Sequence, residues 1–136
     1  MPAVYDFSDN PRQVTIADTV ISNNRSIAIS KHGSAVVYGG GIVNNSLLEL
    51  NRVTVRGNTA EAEAPSAIAQ GGGIWNGVLL SGPPVRLILN HTKLVGNSLR
   101  VSAVGSAKGG GMYTKVPVVQ HHSVIKGNHP DTCFAC

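Results

Sequence analysis

The sequence predicts an all-β fold, a parallel β-helix in which short strands stack in successive rungs, a rung being one turn of the chain around the solenoid. Three glycine triplets, each followed by a large apolar residue, recur along the 136-residue chain. A second segment, which ends in asparagine, recurs four times at intervals of 31 to 39 residues. Repeats of this period indicate that one supersecondary unit stacks on copies of itself. The four asparagine-ending copies predict about four rungs.

The glycine triplets predict the first strand of each rung. Glycine adopts backbone conformations closed to other residues and lets a neighbouring chain approach closely. We therefore interpret these positions as a structural ladder. The functional alternative is a backbone nest for phosphate, although no triplet ends in the Gly-Lys-Ser/Thr of a phosphate loop. The triplets are Gly39, Gly40 and Gly41, then Gly71, Gly72 and Gly73, and then Gly109, Gly110 and Gly111, and they precede Ile42, Ile74 and Met112.

The second recurring segment predicts two further short strands joined by a corner. Apolar residues alternate within each copy, as they do in a half-buried strand, and the alternation slips where we place the corner. The closing asparagine suits a left-handed backbone turn, and its amide can bond to the asparagines above and below it. The copies run from Val14 to Asn24, from Leu48 to Asn58, from Leu87 to Asn97 and from Val118 to Asn128, with corners at Asp18, Arg52, His91 and His122.

The segments between the repeats are predicted to be surface loops, which leaves three short strands in each rung. Residues 60–69 tolerate a helix, but Pro65 interrupts it. Residues 79–85 contain two prolines and a glycine, as a surface turn does. The long loops are expected on one side of the stack at residues 25–38, 59–70 and 98–108. The predicted parts of the chain are an irregular start or cap at 1–13, the repeat domain at 14–128 and a tail at 129–136.

The composition predicts one domain with a core of small aliphatic residues. Hydrophobic residues make up 42% of the chain and aromatic residues only 4%, as a narrow solenoid needs. No run approaches the roughly eighteen apolar residues of a membrane span, and residues 1–13 do not have the pattern of a signal peptide. Cys133 and Cys136 form a Cys-x-x-Cys pair, for which a tail-holding disulfide or two idle thiols is preferred over a redox centre.

Several of these segments resemble a known family of repeats. Residues 39–45 and 71–77, with the sequences GGGIVNN and GGGIWNG, are similar to the repeats of bacterial right-handed β-helix proteins. The endings at 53–58 and 93–98 and the tail at 127–133 are similar as well. Such repeats also occur in polymorphic outer membrane proteins and autotransporter passengers. The resemblance implies a right-handed, pectate-lyase-like solenoid and an extracellular or cell-surface location, and it concerns fold rather than activity.

The groups that could carry catalysis are few and scattered along the sequence. Polysaccharide lyases and hydrolases need clustered carboxylates, and the seven acids fall in different predicted columns, so we assign no catalytic residue. His91 and His122 are expected to stack at the corner. They could hold a transition metal, but solvated histidines are the preferred interpretation, and we assign no metal and no cofactor. The acids are Asp6, Asp9, Asp18, Glu49, Glu61, Glu63 and Asp131.

Cationic side chains are expected to gather on one flank of the stack. The chain has 11 Lys and Arg against 7 Asp and Glu, a formal net charge of +4, and such a flank would attract polyanions such as acidic polysaccharides. The alternative is that these residues only keep an exposed sheet soluble and discourage edge pairing. Stacking aromatics are missing, which argues against nucleic acid. We name this set the basic flank, and it consists of Arg52, Arg56, His91, Lys93, His122 and Lys126.

Trp75 and Tyr113 are predicted to share an outward column with Val43. Aromatic rings in register on a flat face can bind sugar rings, but packing under a loop is the preferred interpretation. The sequence therefore predicts a non-catalytic scaffold or an adhesin-like surface module, which could associate with further copies through exposed strand edges at its ends. The alternative is a carbohydrate-active protein, or a degenerate relative of one, that binds acidic glycans. The expected partners are an acidic polysaccharide or another protein.

Overall fold

The chain forms a parallel β-solenoid of about three turns. The computed structural model describes residues 4–6, 13–79, 84–102 and 104–136, which form nineteen strands arranged in five parallel sheets. The prediction of a stacked all-β fold is confirmed, and the four asparagine-ending copies supply the four strands of two of these sheets. Within the described residues no helix is long and apolar enough to cross a membrane.

Three sheets correspond to the three strands predicted for each rung. Sheet A contains β1 Val4–Asp6, β6 Ile42–Asn44, β11 Ile74–Asn76, β16 Met112–Thr114 and β19 Cys133–Phe134. Sheet B contains β2 Gln13–Ala17, β7 Leu47–Asn51, β12 Arg86–Asn90 and β17 Val118–His121. Sheet C contains β3 Val20–Ser22, β8 Thr54–Arg56, β13 Lys93–Val95 and β18 Val124–Lys126.

The segments predicted to be loops form two further sheets, so that prediction was wrong and a complete rung has five strands. These strands continue from the closing asparagine of each repeat and return to the next glycine triplet. Sheet D contains β4 Arg25–Ile29, β9 Thr59–Glu63 and β14 Ser98–Val101, and sheet E contains β5 Ser34–Tyr38, β10 Ser66–Gln70 and β15 Gly105–Lys108.

Alanine explains why the middle strands of sheets D and E, β9 and β10, were missed in the sequence. Alanine and glutamate are poor strand formers, so residues 60–69 resemble a helical or irregular segment. In the structure Ala60 and Ala62 point inward and are fully buried, while Glu61 between them points outward. Their small side chains, together with those of Ala67 and Ala69, fill a second core. Inward and outward residues do alternate in this segment, but the inward residues are alanines and give no strong hydrophobic signal.

The main core has the columns that the alternation predicted. Leu48 lies in register with Val14 and Leu87, and the same column continues to Val118. Leu50 and Leu89 fill the next column, which ends at the polar Gln120. Ile21, Val55, Leu94 and Ile125 form a third column in sheet C. Burial of these aliphatic side chains at about 25 cal/mol per Å² is the main source of stability.

The glycine triplets lie just before the strands of sheet A and not within them. The first glycine of each triplet is left-handed, with φ of 64° at Gly39, 71° at Gly71 and 76° at Gly109. It turns the chain from sheet E into sheet A. At Gly72 a Cβ atom would overlap the carbonyl oxygen of Gly110 and lie 2.6 Å from that of Ser98. Close contact between neighbouring rungs therefore requires glycine here.

Strands also form in both predicted terminal segments. β1 pairs with β6, with Val4 opposite Ile42, and β19 pairs with β16, with Cys133 opposite Met112. Sheet A is therefore the only described sheet with five strands. In the predicted surface turn at 79–85, residues 80–83 lie outside the described part of the chain.

Candidate functional site

The four asparagines that close the repeats lie in one file along the solenoid. Nδ2 of Asn24 donates to Oδ1 of Asn58 at 2.9 Å, and Nδ2 of Asn58 donates to Oδ1 of Asn97 at 3.0 Å. The bond from Asn97 to Asn128 is also 3.0 Å long. Asn58 and Asn97 are fully buried. The middle of this ladder is therefore part of the core and is not exposed to a ligand, whereas Asn24 and Asn128 at its ends are partly exposed.

Asn97 uses its whole hydrogen-bonding capacity inside the stack. Its Oδ1 accepts from the backbone nitrogen and from Nδ2 of Asn58, both at 3.0 Å. Its Nδ2 donates to Oδ1 of Asn128 and to the carbonyl oxygen of Val55, again at 3.0 Å. A side-chain amide offers two donor hydrogens and two acceptor lone pairs. All four are used, as they are in Asn58.

Two columns of left-handed residues turn the chain before and after sheet C. The first column lies at the corner that the sequence predicted. In the second column the left-handed residue is the one before each closing asparagine, so the expectation that the asparagine itself adopts this conformation was wrong. The turn at the preceding residue directs the asparagine side chain inward. The left-handed residues are Asp18, Arg52, His91 and His122 in the first column and Asn23, Gly57, Gly96 and Gly127 in the second.

The first corner column contains an ion pair and a histidine stack. Nε and Nη2 of Arg52 donate to the two carboxylate oxygens of Asp18 at 2.6 and 2.7 Å. This hydrogen bonding, with the attraction of the positive charge, lowers the pKa of Asp18 against an opposing effect of desolvation, and it raises the pKa of Arg52. The rings of His91 and His122 stack with centroids 5.0 Å apart and planes 10° apart.

All six residues of the basic flank are exposed, and they lie on the outer face of sheet C and its first corner. Arg56 and Lys126 occupy one outward column, and Lys93 occupies the neighbouring one. The ion pairs formed within the described part of the chain are Arg52–Asp18 and one on sheet D. Arg56, Lys93 and Lys126 therefore have no acidic partner there, and their charges face solvent on one surface.

Most described acids bond to groups of the protein itself. Glu49, on the outer face of sheet B, accepts hydrogen bonds from the side-chain amides of Gln13, Asn51 and Asn90. On sheet D, Glu61 forms an ion pair with Arg25. These acids lie on different sheets. Within the described residues, no group of three His, Cys, Asp or Glu side chains could hold a metal ion.

Asp131 closes the last glycine triplet. Its Oδ1 accepts hydrogen bonds from the backbone nitrogens of Gly109 and Gly110, both at 2.8 Å. In the preceding triplet, the equivalent Gly71 donates to the carbonyl of Lys108 and Gly72 to that of Gly109. Asp131 thus supplies acceptors where the next rung would have supplied carbonyl groups. The alternative of a phosphate nest is wrong, because internal acceptors occupy these donors.

Trp75 and Tyr113 share the predicted outward column with Val43, but Trp75 cannot bind a sugar ring as it stands. Trp75 is 0% exposed. Its ring lies 4.9 Å from that of Tyr38, and Lys115 Nζ lies 5.6 Å from its ring centroid. The covering residue Tyr38 belongs to β5, in a segment predicted to be a loop, so the sequence could not place it over the tryptophan.

Phe134 extends the aromatic column beyond Tyr113. The two rings stack with centroids 5.2 Å apart and planes 2° apart, and Lys108 Nζ lies 4.6 Å from the Phe134 centroid. Both aromatic side chains are partly exposed. Phe134 follows Tyr113 in register because β19 pairs with β16. The sequence did not predict this position, because a strand of two residues has no periodic pattern.

Cys133 and Cys136 form a disulfide, with Cα atoms 5.9 Å apart, which is one of the two alternatives, a tail-holding bond or two idle thiols, that the sequence left open. Comparison of the chain with protein-family models, with curated proteins and with solved structures gives no match.

Proposed function

We propose that this protein is a non-catalytic interaction module that binds acidic polysaccharides through the basic flank. The observation that carries the proposal is the exposure of Arg56, Lys93 and Lys126 on one sheet face with no described acidic partner. Charges of one sign on a surface raise the local concentration of a ligand of opposite sign and increase its rate of association.

The geometry of sheet C suits a ligand with repeated charges. Parallel strands lie about 4.8 Å apart, so Lys93 and the flanking cations of Arg56 and Lys126 are spread over neighbouring rungs along the solenoid axis. A chain of carboxylated or sulfated sugars laid along this axis would meet several cations at once. Each exposed contact contributes roughly 0.2–1 kcal/mol, and the affinity then depends on their number and on salt.

The sequence itself suggests variants that should preserve the fold. Ser22 shares a column with Arg56 and Lys126, and Thr54 shares one with Lys93. The triple variant Arg56→Ser, Lys93→Thr, Lys126→Ser therefore introduces residues that the same columns already contain. A matched control removes three exposed charges elsewhere, by Lys31→Ser, Arg86→Thr and Arg100→Thr.

Binding to polygalacturonate and to heparin is measured by calorimetry or fluorescence at several salt concentrations. We expect the flank variant to lose roughly threefold to a hundredfold in affinity, since three contacts of roughly 0.2–1 kcal/mol each are removed. The control should lose much less. Equal losses in both variants, or no binding by the unmodified chain at low salt, would reject the basic flank as the binding surface.

A carbohydrate-active protein is the second candidate, and one observation favours it. Glu61 and Glu63 are two residues apart on β9 and both point outward, beside a surface cavity of about 200 Å³ that Arg100 also lines. Paired carboxylates perform the acid and nucleophile or base steps of glycoside hydrolysis. Release of reducing ends from acidic polysaccharides that is abolished by Glu63→Gln would establish this activity, and its absence would leave the binding module.

A further inference from the structure

The two ends of the solenoid expose strand edges that match one another. β2 and β3 are the outermost strands of sheets B and C at one end, and β17 and β18 are outermost at the other. No described strand pairs with their outer edges. Because all pairs in these sheets are parallel and in register, the edge of β17 has the direction and spacing that a further copy of β2 requires.

The outward residues at these edges are complementary. Val20 and Val124 occupy the same outward column of sheet C, and they are 58% and 40% exposed. The equivalent positions in the middle rungs are Thr54 and Lys93. Two β-branched side chains would therefore cover one another if β18 of one copy lay beside β3 of the next. In the corner column the same placement brings His122 beside the carboxylate of Asp18.

The hydrogen bonds of the asparagine ladder all run in one direction, which leaves an acceptor at one end of the solenoid and a donor at the other. Each Nδ2 donates toward the C-terminal end, so among the described residues Oδ1 of Asn24 accepts no hydrogen bond. At the other end, the Nδ2 of Asn128 donates to the carbonyl of Leu94 and keeps its second hydrogen. A copy stacked on this end would supply Asn24 Oδ1 as the missing acceptor. The ladder would then continue across the junction.

A cavity marks the place of one more strand of sheet B. It has a volume of about 320 Å³ and lies beyond β17, lined by Val116, Val118 and Gln120 and by the tail residues Ala135 and Cys136. In the stack, the residues that follow Val118 and Gln120 in their columns would be Val14 and Ile16 of the next copy. Two aliphatic side chains of this kind fit an opening of that size.

The arrangement of sheet A limits how two copies can stack. β19 already lies beside β16, in the position that β1 of a stacked copy would need. In that position Cys133 and Phe134 would follow the columns of Ile42 and Val43, as Val4 and Tyr5 do within one chain. We propose that copies of this chain assemble head to tail, with β19 of one copy replacing β1 in sheet A of the next. This proposal does not depend on polysaccharide binding.

Disulfide trapping tests this arrangement. The variants Val20→Cys and Val124→Cys are mixed in a glutathione buffer, and the products are mapped by mass spectrometry. Adjacent parallel strands hold Cα atoms at a separation that a disulfide spans, so we expect a 20–124 cross-link between the two variants. As a matched control, Val36→Cys is exposed on sheet E of the first rung, and it should not cross-link to the Val124→Cys variant.

Other outcomes overturn the proposal. Cross-links from 20 to 20 or from 124 to 124 would indicate symmetric pairing of like ends, and absence of cross-links at concentrations up to roughly 1 mM would reject assembly. Hydrogen exchange of the unmodified chain tests the strand replacement separately. With rising concentration, amides of 13–17 and 118–121 should exchange more slowly and those of 4–6 faster. Unchanged protection of 4–6 would reject the replacement of β1.

Discussion

Replacing Asn97 with leucine tests whether the asparagine ladder holds the rungs together. Leucine has the same number and branching of side-chain heavy atoms as asparagine, with bulkier methyl groups, but it neither donates nor accepts hydrogen bonds. The change removes four side-chain bonds of about 3.0 Å each and leaves the backbone nitrogen and one Nδ2 hydrogen of Asn58 without an acceptor. Asn58 is 0% exposed, so water cannot replace the lost partner without opening the stack.

The magnitude follows from the two buried donors. A buried polar group left without a partner costs about 1–3 kcal/mol, and the carbonyl of Val55 and Oδ1 of Asn128 each lose one of their donors. The apolar leucine recovers part of this by its own burial. We expect the free energy of unfolding to fall by about 4 kcal/mol, a large share of the total of roughly 5–15 kcal/mol for a domain.

Denaturant unfolding, followed by circular dichroism, measures this loss. Asn90→Leu is the matched control, because Asn90 also bonds to two side chains but lies half-buried on the outer face of sheet B. Water can reach its partners, so we expect a cost of about 1 kcal/mol or less. Equal losses in the two variants would show that the ladder bonds contribute no more than surface bonds, and the reasoning would be refuted.

Four further substitutions test other parts of the stack. Gly72→Val should lower the free energy of unfolding by more than about 3 kcal/mol or prevent folding, because its Cβ meets backbone atoms of Gly110 and Ser98. Gly96→Asn is the control and should be tolerated, since a Cβ there meets nothing within 4 Å and Asn23 has the same left-handed conformation. The denaturant midpoints of the two variants are compared. Asp131→Ala should cost about 1–3 kcal/mol by leaving two glycine N–H groups unpaired, and unchanged amide exchange at Gly109 and Gly110 would contradict this. The pKa of Asp18 is lower in the folded chain, so the stabilising contribution of its pair with Arg52 is present above the ordinary value of 3.8 and is lost as the pH falls through the folded value. The stability difference between the unmodified chain and Asp18→Asn should therefore be present at neutral pH and shrink in acid and in high salt, and a difference that grows in acid would be inconsistent with this sign.

The sequence predicted the strands in which the inward side chains are large and apolar and therefore easy to tell from the outward ones. Leu48 and Leu87 are buried between neighbours that are only partly buried or exposed, and the slip at His91 marked a corner that the structure confirms. The middle strands of sheets D and E were not predicted, because the burial of alanines such as Ala60 and Ala62 depends on the opposing sheet and is not visible in the sequence. Trp75 was placed in the right column, but its exposure to a ligand depended on Tyr38, which belongs to sheet E and packs against its ring.

The candidate surface was predicted in part for the same reason. The columns of sheet C follow from local alternation, so the cations of the basic flank could be assigned to one face. The pairing of Arg52 with Asp18 could not be deduced in the same way, because outward side chains are long and exposed and their contacts depend on rotamers. Asp131 was outside every repeat, and only the folded tail shows that it caps Gly109 and Gly110.

The one-to-one register between rungs makes the length of this molecule adjustable in fixed increments. Gly39 donates its amide hydrogen to Gln70, the residue before the next triplet, so residues 39–70 constitute one complete circuit of the chain. A duplicate of this circuit, inserted after residue 70, would meet the original circuit on one side and, on the other, the rung that starts at residue 71, which the original meets now. The solenoid would lengthen by about 4.8 Å for each duplicate, so the distance between its two ends could be set in steps of one rung.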